Sequence, residues 1–212
     1  MSISSCLSSP AARRLGVFSL GRGALAGLLL AGISAAGAGP ATPGPMGPHR
    51  ILLSNAAGEQ VELGRVSFEP AGEGRWRFKV KLDADRTSEH FLAMRPFKCL
   101  TGPKQQICHF PYEVEPVISR SDLVPLEYAL MFLHKKPSVP HIGSRNGHYY
   151  RLRWAQAGGT LIEGRLHDVD MDPIIAPKGN PERPIVPADL AEADENSHWM
   201  TRLHIEALPA AK

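Results

Sequence analysis

Apolar and basic side chains alternate without interruption from Arg75 to Leu82, where Trp76, Phe78, Val80 and Leu82 are interleaved with Arg75, Arg77, Lys79 and Lys81. A period of two puts the apolar set on one face of a strand and the basic set on the other. The run V-E-L-G-R-V-S-F-E at 61–69 has the same character, and the turn-forming P-A-G-E-G lies between the two. Together they predict a β-hairpin whose basic stripe is a solvated face that discourages edge pairing. A second hairpin is predicted from His148–Trp154, the turn A-Q-A-G-G and Thr160–Asp170, and a last strand from His198–Leu208.

Between the hairpins the pattern changes. In the segment 121–136, Ser121 stands as a cap, an acid follows, Pro125 falls in the first turn and Lys135-Lys136 precede Pro137. Leu126, Ala129, Leu130 and Leu133 share one helical face, so this segment predicts a helix, with a buried strand over Tyr128–Leu133 as the rival. The expected fold class is therefore mainly β with one helix (α+β), its antiparallel hairpins forming a compact barrel-like or sandwich domain. No repeat at a fixed period is visible, which argues against a solenoid or propeller.

The first 38 residues change the reading of the rest. Arg13, Arg14 and Arg22 precede an apolar run from Ala24 that ends at Ala36-Gly37-Ala38, the layout of a cleaved signal peptide. The run is short of the ~20 apolar residues a membrane span needs, so no span is expected after cleavage. The arginine pair leaves both the general and the twin-arginine export routes open. Residues 39–48, rich in Pro and Gly, read as an extended tether, and 49–208 as a single globular domain. The expected location is exported, periplasmic or extracellular.

Removing that leader also removes the apparent basicity. The chain has 24 Lys plus Arg and 21 Asp plus Glu; the leader carries three of the arginines and none of the acids, leaving the two signs equal. Nothing global then attracts nucleic acid or an anionic membrane surface.

Two cysteines remain beyond the leader, in K-C-L-T-G-P-K-Q-Q-I-C-H-F-P-Y from Lys98. Their spacing fails the close-paired pattern of zinc sites and the C-x-x-C of thioredoxin-like pairs. A two-residue turn at Pro103-Lys104 instead puts Cys99 opposite Cys108, Phe97 opposite Phe110 and Arg95 opposite Tyr112. A structural disulfide Cys99–Cys108 is expected, and an oxidising compartment favours it.

The search for catalytic chemistry returns negatives: no nucleophile elbow, no zinc-protease helix, no phosphate loop and no dinucleotide fingerprint. Two segments are candidates for binding. In H-D-V-D-M-D-P, Asp168, Asp170 and Asp172 would share one side of an extended segment, yet the glycine and the final acid of a calcium loop are missing. In the proline-rich stretch Pro173–Pro187, Ile174, Ile175, Ile185 and Val186 are too apolar for a mere linker, which suggests an arm covering a sheet edge or docking a partner. No metal and no cofactor is expected. The sequence therefore reads as an exported, disulfide-stapled, non-catalytic binding or envelope-assembly module. Its expected partner is an exported or envelope protein. The alternative is a hydrolase of an envelope polymer using His and Asp side chains from the 160s.

Overall fold

A computed structural model describes residues 44–92, 96–156, 159–175, 177 and 179–208. The chain divides into units 1–41 and 42–212, and the described residues belong to the second. The expected signal peptide, residues 39–43 of the tether, and Arg95 lie outside the described residues.

Twelve strands form one antiparallel sheet, curled into a half-barrel. They are β1 (Gly47–Ser54), β2 (Gln60–Pro70), β3 (Arg75–Leu82), β4 (Ser88–Phe91), β5 (Pro96–Thr101) and β6 (Gln106–His109), followed by β7 (Val117–Ser119), β8 (Phe132–Lys135), β9 (Gly147–Trp154), β10 (Thr160–Val169), β11 (Leu190–Glu192) and β12 (Arg202–Ala207). Two short helices, α1 (Val124–Ala129) and α2 (Asp172–Ile175), and a 3₁₀ turn at Pro187–Asp189 complete the described elements. The order across the sheet is β4-β5-β6-β8-β9-β10-β12-β1-β2-β3-β7, with β11 paired to β10.

The first predicted hairpin is β2–β3, with Val66 opposite Val80 and Phe68 opposite Phe78. The second is β9–β10, with Leu152 opposite Gly164 and Tyr150 opposite Leu166. The cysteine register is also as expected. Gly102 N–H donates to Gln105 O across the turn, and Cys99 pairs with Cys108 in a disulfide. Their Cα atoms are 4.0 Å apart, closer than the 5–6 Å of a typical bridge. Counting from the turn, this pair is not hydrogen-bonded to itself, the position at which opposed residues approach most closely.

The segment 121–136 departs from expectation. Helix α1 covers only Val124–Ala129, and the chain is a strand again from Phe132. Leu126 and Leu130 do face the core, but a helical face followed by a buried strand produces the same apolar spacing as a longer helix. The break has a structural use. Strand β8 pairs with β9 only at Phe132↔His148 and Leu133↔Gly147. Where that pairing stops, α1 covers the exposed edge of β9, and Glu127 accepts the Leu152 N–H at 2.6 Å.

Strands β8, β9 and β10 separate two apolar clusters. On one face Phe132, Tyr150, Leu152, Ile162 and Leu166 join Leu203 and Ile205 of β12 and the hydrophobic side chains of β1 to β3. On the other, Leu133, Tyr149 and Val169 pack with the disulfide, Tyr128, Met131 and Ile185. Alternation along each strand assigns neighbouring residues to opposite clusters. A Cβ at Gly147 would lie 2.5 Å from Val169 O, so glycine there lets the end of β10 close on β9.

Candidate metal centre

His148 lies at the start of β9, directly opposite Asp168 of β10 and Phe132 of β8. His134 N–H donates to Asn146 O at 2.8 Å, which sets His134 diagonal to His148 on the same face. Three adjacent strands thus present His134, His148 and Asp168 in one row. His198 completes the group from the connection between β11 and β12. One ligating atom from each of the four lies within 4.8 Å of the others. The His134 and His148 rings stack with centroids 4.2 Å apart, and the His198 ring is 5.2 Å from His148 and 5.5 Å from His134.

Polar satisfaction here is uneven. His148 is fully buried, and its two ring nitrogens are two of only four buried side-chain polar atoms without a partner among the described residues. An imidazole so placed forfeits its hydration without compensation. Burial pushes its pKa well below the ordinary histidine value, reinforced by His134 and His198, so it stands neutral with a free lone pair. Burial likewise pushes His134 down to about 4, with the His198 charge adding and Asp168 opposing. Neutral imidazole is the form that ligates a metal.

His198 is held differently. Its Nδ1 is 3.0 Å from Asp194 O, a carbonyl that can only accept, so Nδ1 carries the proton. Ser197 Oγ lies 3.0 Å from the same nitrogen. The other nitrogen, Nε2, then turns its lone pair toward Asp168 Oδ1 at 2.9 Å. Two electron-rich atoms at that separation need a cation between them, a second proton or a metal ion. A backbone carbonyl fixing the far nitrogen of a ligating histidine is the usual support in metal sites. Asp168 is 40% exposed and the His198 side chain 9%, so the group opens to solvent on the carboxylate side.

The three acids of the sequence are dispersed. Strand β10 ends at Val169, so only Asp168 points into the histidine row. Asp170 accepts the Asp172 N–H and faces Arg145 at 3.8 Å, while Asp172 opens α2. The proline-rich arm is tied down: Ile185 is buried, and Ile185 N–H donates to Tyr128 Oη at 3.3 Å, Tyr112 Oη–H donates to Pro181 O, and Arg183 pairs with Asp122. Ile174 packs partly against the same cluster, and Ile175 closes α2. Val186, 49% exposed, lines with Ile185 a cleft of about 610 Å³ whose walls include Glu127, Arg151, Trp154 and Arg183.

No family model matches the chain, and neither curated proteins nor solved structures provide a match. The centre therefore rests on its own geometry. Nothing in the sequence singles out His134, His148 and His198. They come from three separate segments, and no short spacing marks them as a set.

Proposed function

We propose that the protein is an exported binding module whose ligand is a borderline divalent transition-metal ion of the zinc(II) type, held at the histidine row. The observation that carries this reading is His148, wholly buried with neither nitrogen paired and facing two further histidines and a carboxylate. Imidazole donors with one carboxylate suit zinc and its neighbours, whereas calcium and magnesium take sets of oxygens. Metal–ligand distances near 2.1 Å hold ligating atoms roughly 3.4 Å from one another, so an ion would bring together the atoms now up to 4.8 Å apart and part His198 Nε2 from Asp168 Oδ1, now at 2.9 Å. Export is supported by the Cys99–Cys108 disulfide, a bond that persists in oxidising compartments. No helix among the described residues is long and apolar enough to cross a membrane.

The test is metal content and affinity. The purified chain is stripped with a chelator, returned to zinc(II) and passed through gel filtration, and bound metal is counted by mass spectrometry. One zinc per chain is expected, and His148→Ala should lose it. A stripped protein that retains no zinc, cobalt or copper would overturn the reading.

A further inference from the structure

Gln105, buried at the turn of the β5–β6 hairpin, touches two of the segments that carry the centre. Its Oε1 accepts the Trp199 N–H at 3.0 Å, and its Nε2 lies 3.0 Å from His134 Nδ1. The first contact fixes the amide's orientation, because a backbone N–H can only donate. The –NH₂ group must therefore face His134 and donate to Nδ1. A neutral imidazole that accepts at Nδ1 carries its proton on Nε2. The one lone pair of His134 is already occupied, and its other nitrogen is a donor. His198 is the opposite case, since its carbonyl partner holds the proton on Nδ1 and leaves the Nε2 lone pair facing Asp168 Oδ1 at 2.9 Å. His148 has no partner at either nitrogen.

We infer, resting on the metal-binding reading above, that the ion has three protein ligands, His148, His198 and Asp168, and an open coordination position beside His134. The exogenous ligand at that position is water or a small anion, with the His134 N–H as a hydrogen-bond donor within the group. Three protein ligands with one exchangeable site distinguish a reactive or exchanging zinc centre from a closed structural one. A metal-bound water is also the nucleophile a hydrolase would need. Gln105 is then a positioning residue: it sets the tautomer of His134 and so the number of ligands.

Cobalt(II) provides the readout, because its visible spectrum reports coordination. The stripped full chain is loaded with cobalt(II) and titrated with azide. A changed spectrum is expected as azide enters the open position, and this measurement needs no variant. Zinc affinity in His134→Ala should stay within about threefold of the parent, while His148→Ala should lose more than about 100-fold, beyond the 10- to 100-fold typical of supporting residues. In Gln105→Glu, one carboxylate oxygen still accepts from Trp199 and the other accepts from His134 Nδ1–H. That reverses the tautomer and supplies a fourth ligand, so affinity should rise and the azide response should vanish. An azide-silent parent whose His134→Ala variant loses as much affinity as His148→Ala would overturn the open position and leave the metal site standing. A chain that binds neither zinc nor cobalt would remove both.

Discussion

Glu127 of α1 packs against β9 and His148 belongs to that strand; both are more than nine-tenths buried, and their surroundings could hardly differ more. Every oxygen of Glu127 is engaged: Oε1 accepts the Leu152 N–H and Oε2 accepts the Tyr149 hydroxyl. Its carboxylate substitutes for the missing strand partner where β8 ends. Among the described residues, no nitrogen of His148 is engaged. A buried polar group with all its bonds made is part of the scaffold, since removing it strands its partners. One with none made gains little for the fold, and the lone pair and N–H of His148 are what the proposed ligand would engage.

The comparison is sharpest with metal in hand. Zinc(II) at 1,000 times its dissociation constant should stabilise the folded chain by about 4 kcal/mol through mass action. Thermal melts with and without zinc should show that gain in the parent and its absence in His148→Leu. Glu127→Ala should cost roughly 3 kcal/mol, because it orphans a buried N–H and a buried hydroxyl. Denaturant unfolding should show the same loss with chelator or with zinc. A loss seen only with zinc would make Glu127 part of the metal site and erase the contrast.

Replacing both cysteines with serine should cost roughly 2 to 3 kcal/mol in oxidising buffer, the loop-closure value for so short a ring. In chelator, His148→Leu should be neutral or stabilising by about 1 kcal/mol, because the apolar replacement has no unmet polar group. A marked destabilisation in chelator would show that His148 serves the fold after all.

A pH series separates the two residues again. Burial, the largest cause, raises the Glu127 pKa, with its hydrogen bonds to Tyr149 and Leu152 opposing. The folded state keeps the proton to higher pH than the unfolded chain. Its stabilising contribution is thus full at pH values below the ordinary glutamate range and is lost as pH rises through the folded value. Glu127→Gln, which can still accept from Leu152 and bond to Tyr149, should flatten that part of the stability profile. The smallest effect expected is with calcium: millimolar calcium should leave the melting temperature unchanged, because Asp170 and Asp172 are turned to other partners.

The strands and the staple were readable from the chain because both depend on short-range order. Alternation located β2, β3, β9 and β10 within a residue or two, and a two-residue turn left one register for Cys99 and Cys108. The metal centre depends on long-range order. The turn A-Q-A-G-G has five residues, too many to decide by itself which residue of β10 opposes His148. The spacing of Leu126, Ala129, Leu130 and Leu133 fits a helix that would include His134, and in a helix His134 could not join a row across strands. His198 reaches the row only through the tertiary path of the connection before β12. Asp168 stands out in the sequence, but in the company of Asp170 and Asp172 and not of the histidine across the ladder.

Strand β12 occupies the slot between β10 and β1, so the sheet is continuous only when residues 202–207 are in place. A polypeptide delivered from its N-terminal end, whether by a ribosome or through a translocation pore, presents this strand after every other. Until then β1, β2, β3 and β7 can pair among themselves, and so can β4, β5, β6, β8, β9 and β10, but no strand pairing joins the two groups. Such distant pairing makes assembly slow. His198 sits just before β12, so the event that unites the half-sheets is also expected to bring in a ligand of the ion. A translocating chain would arrive without metal, and loading would belong to the compartment in which folding finishes.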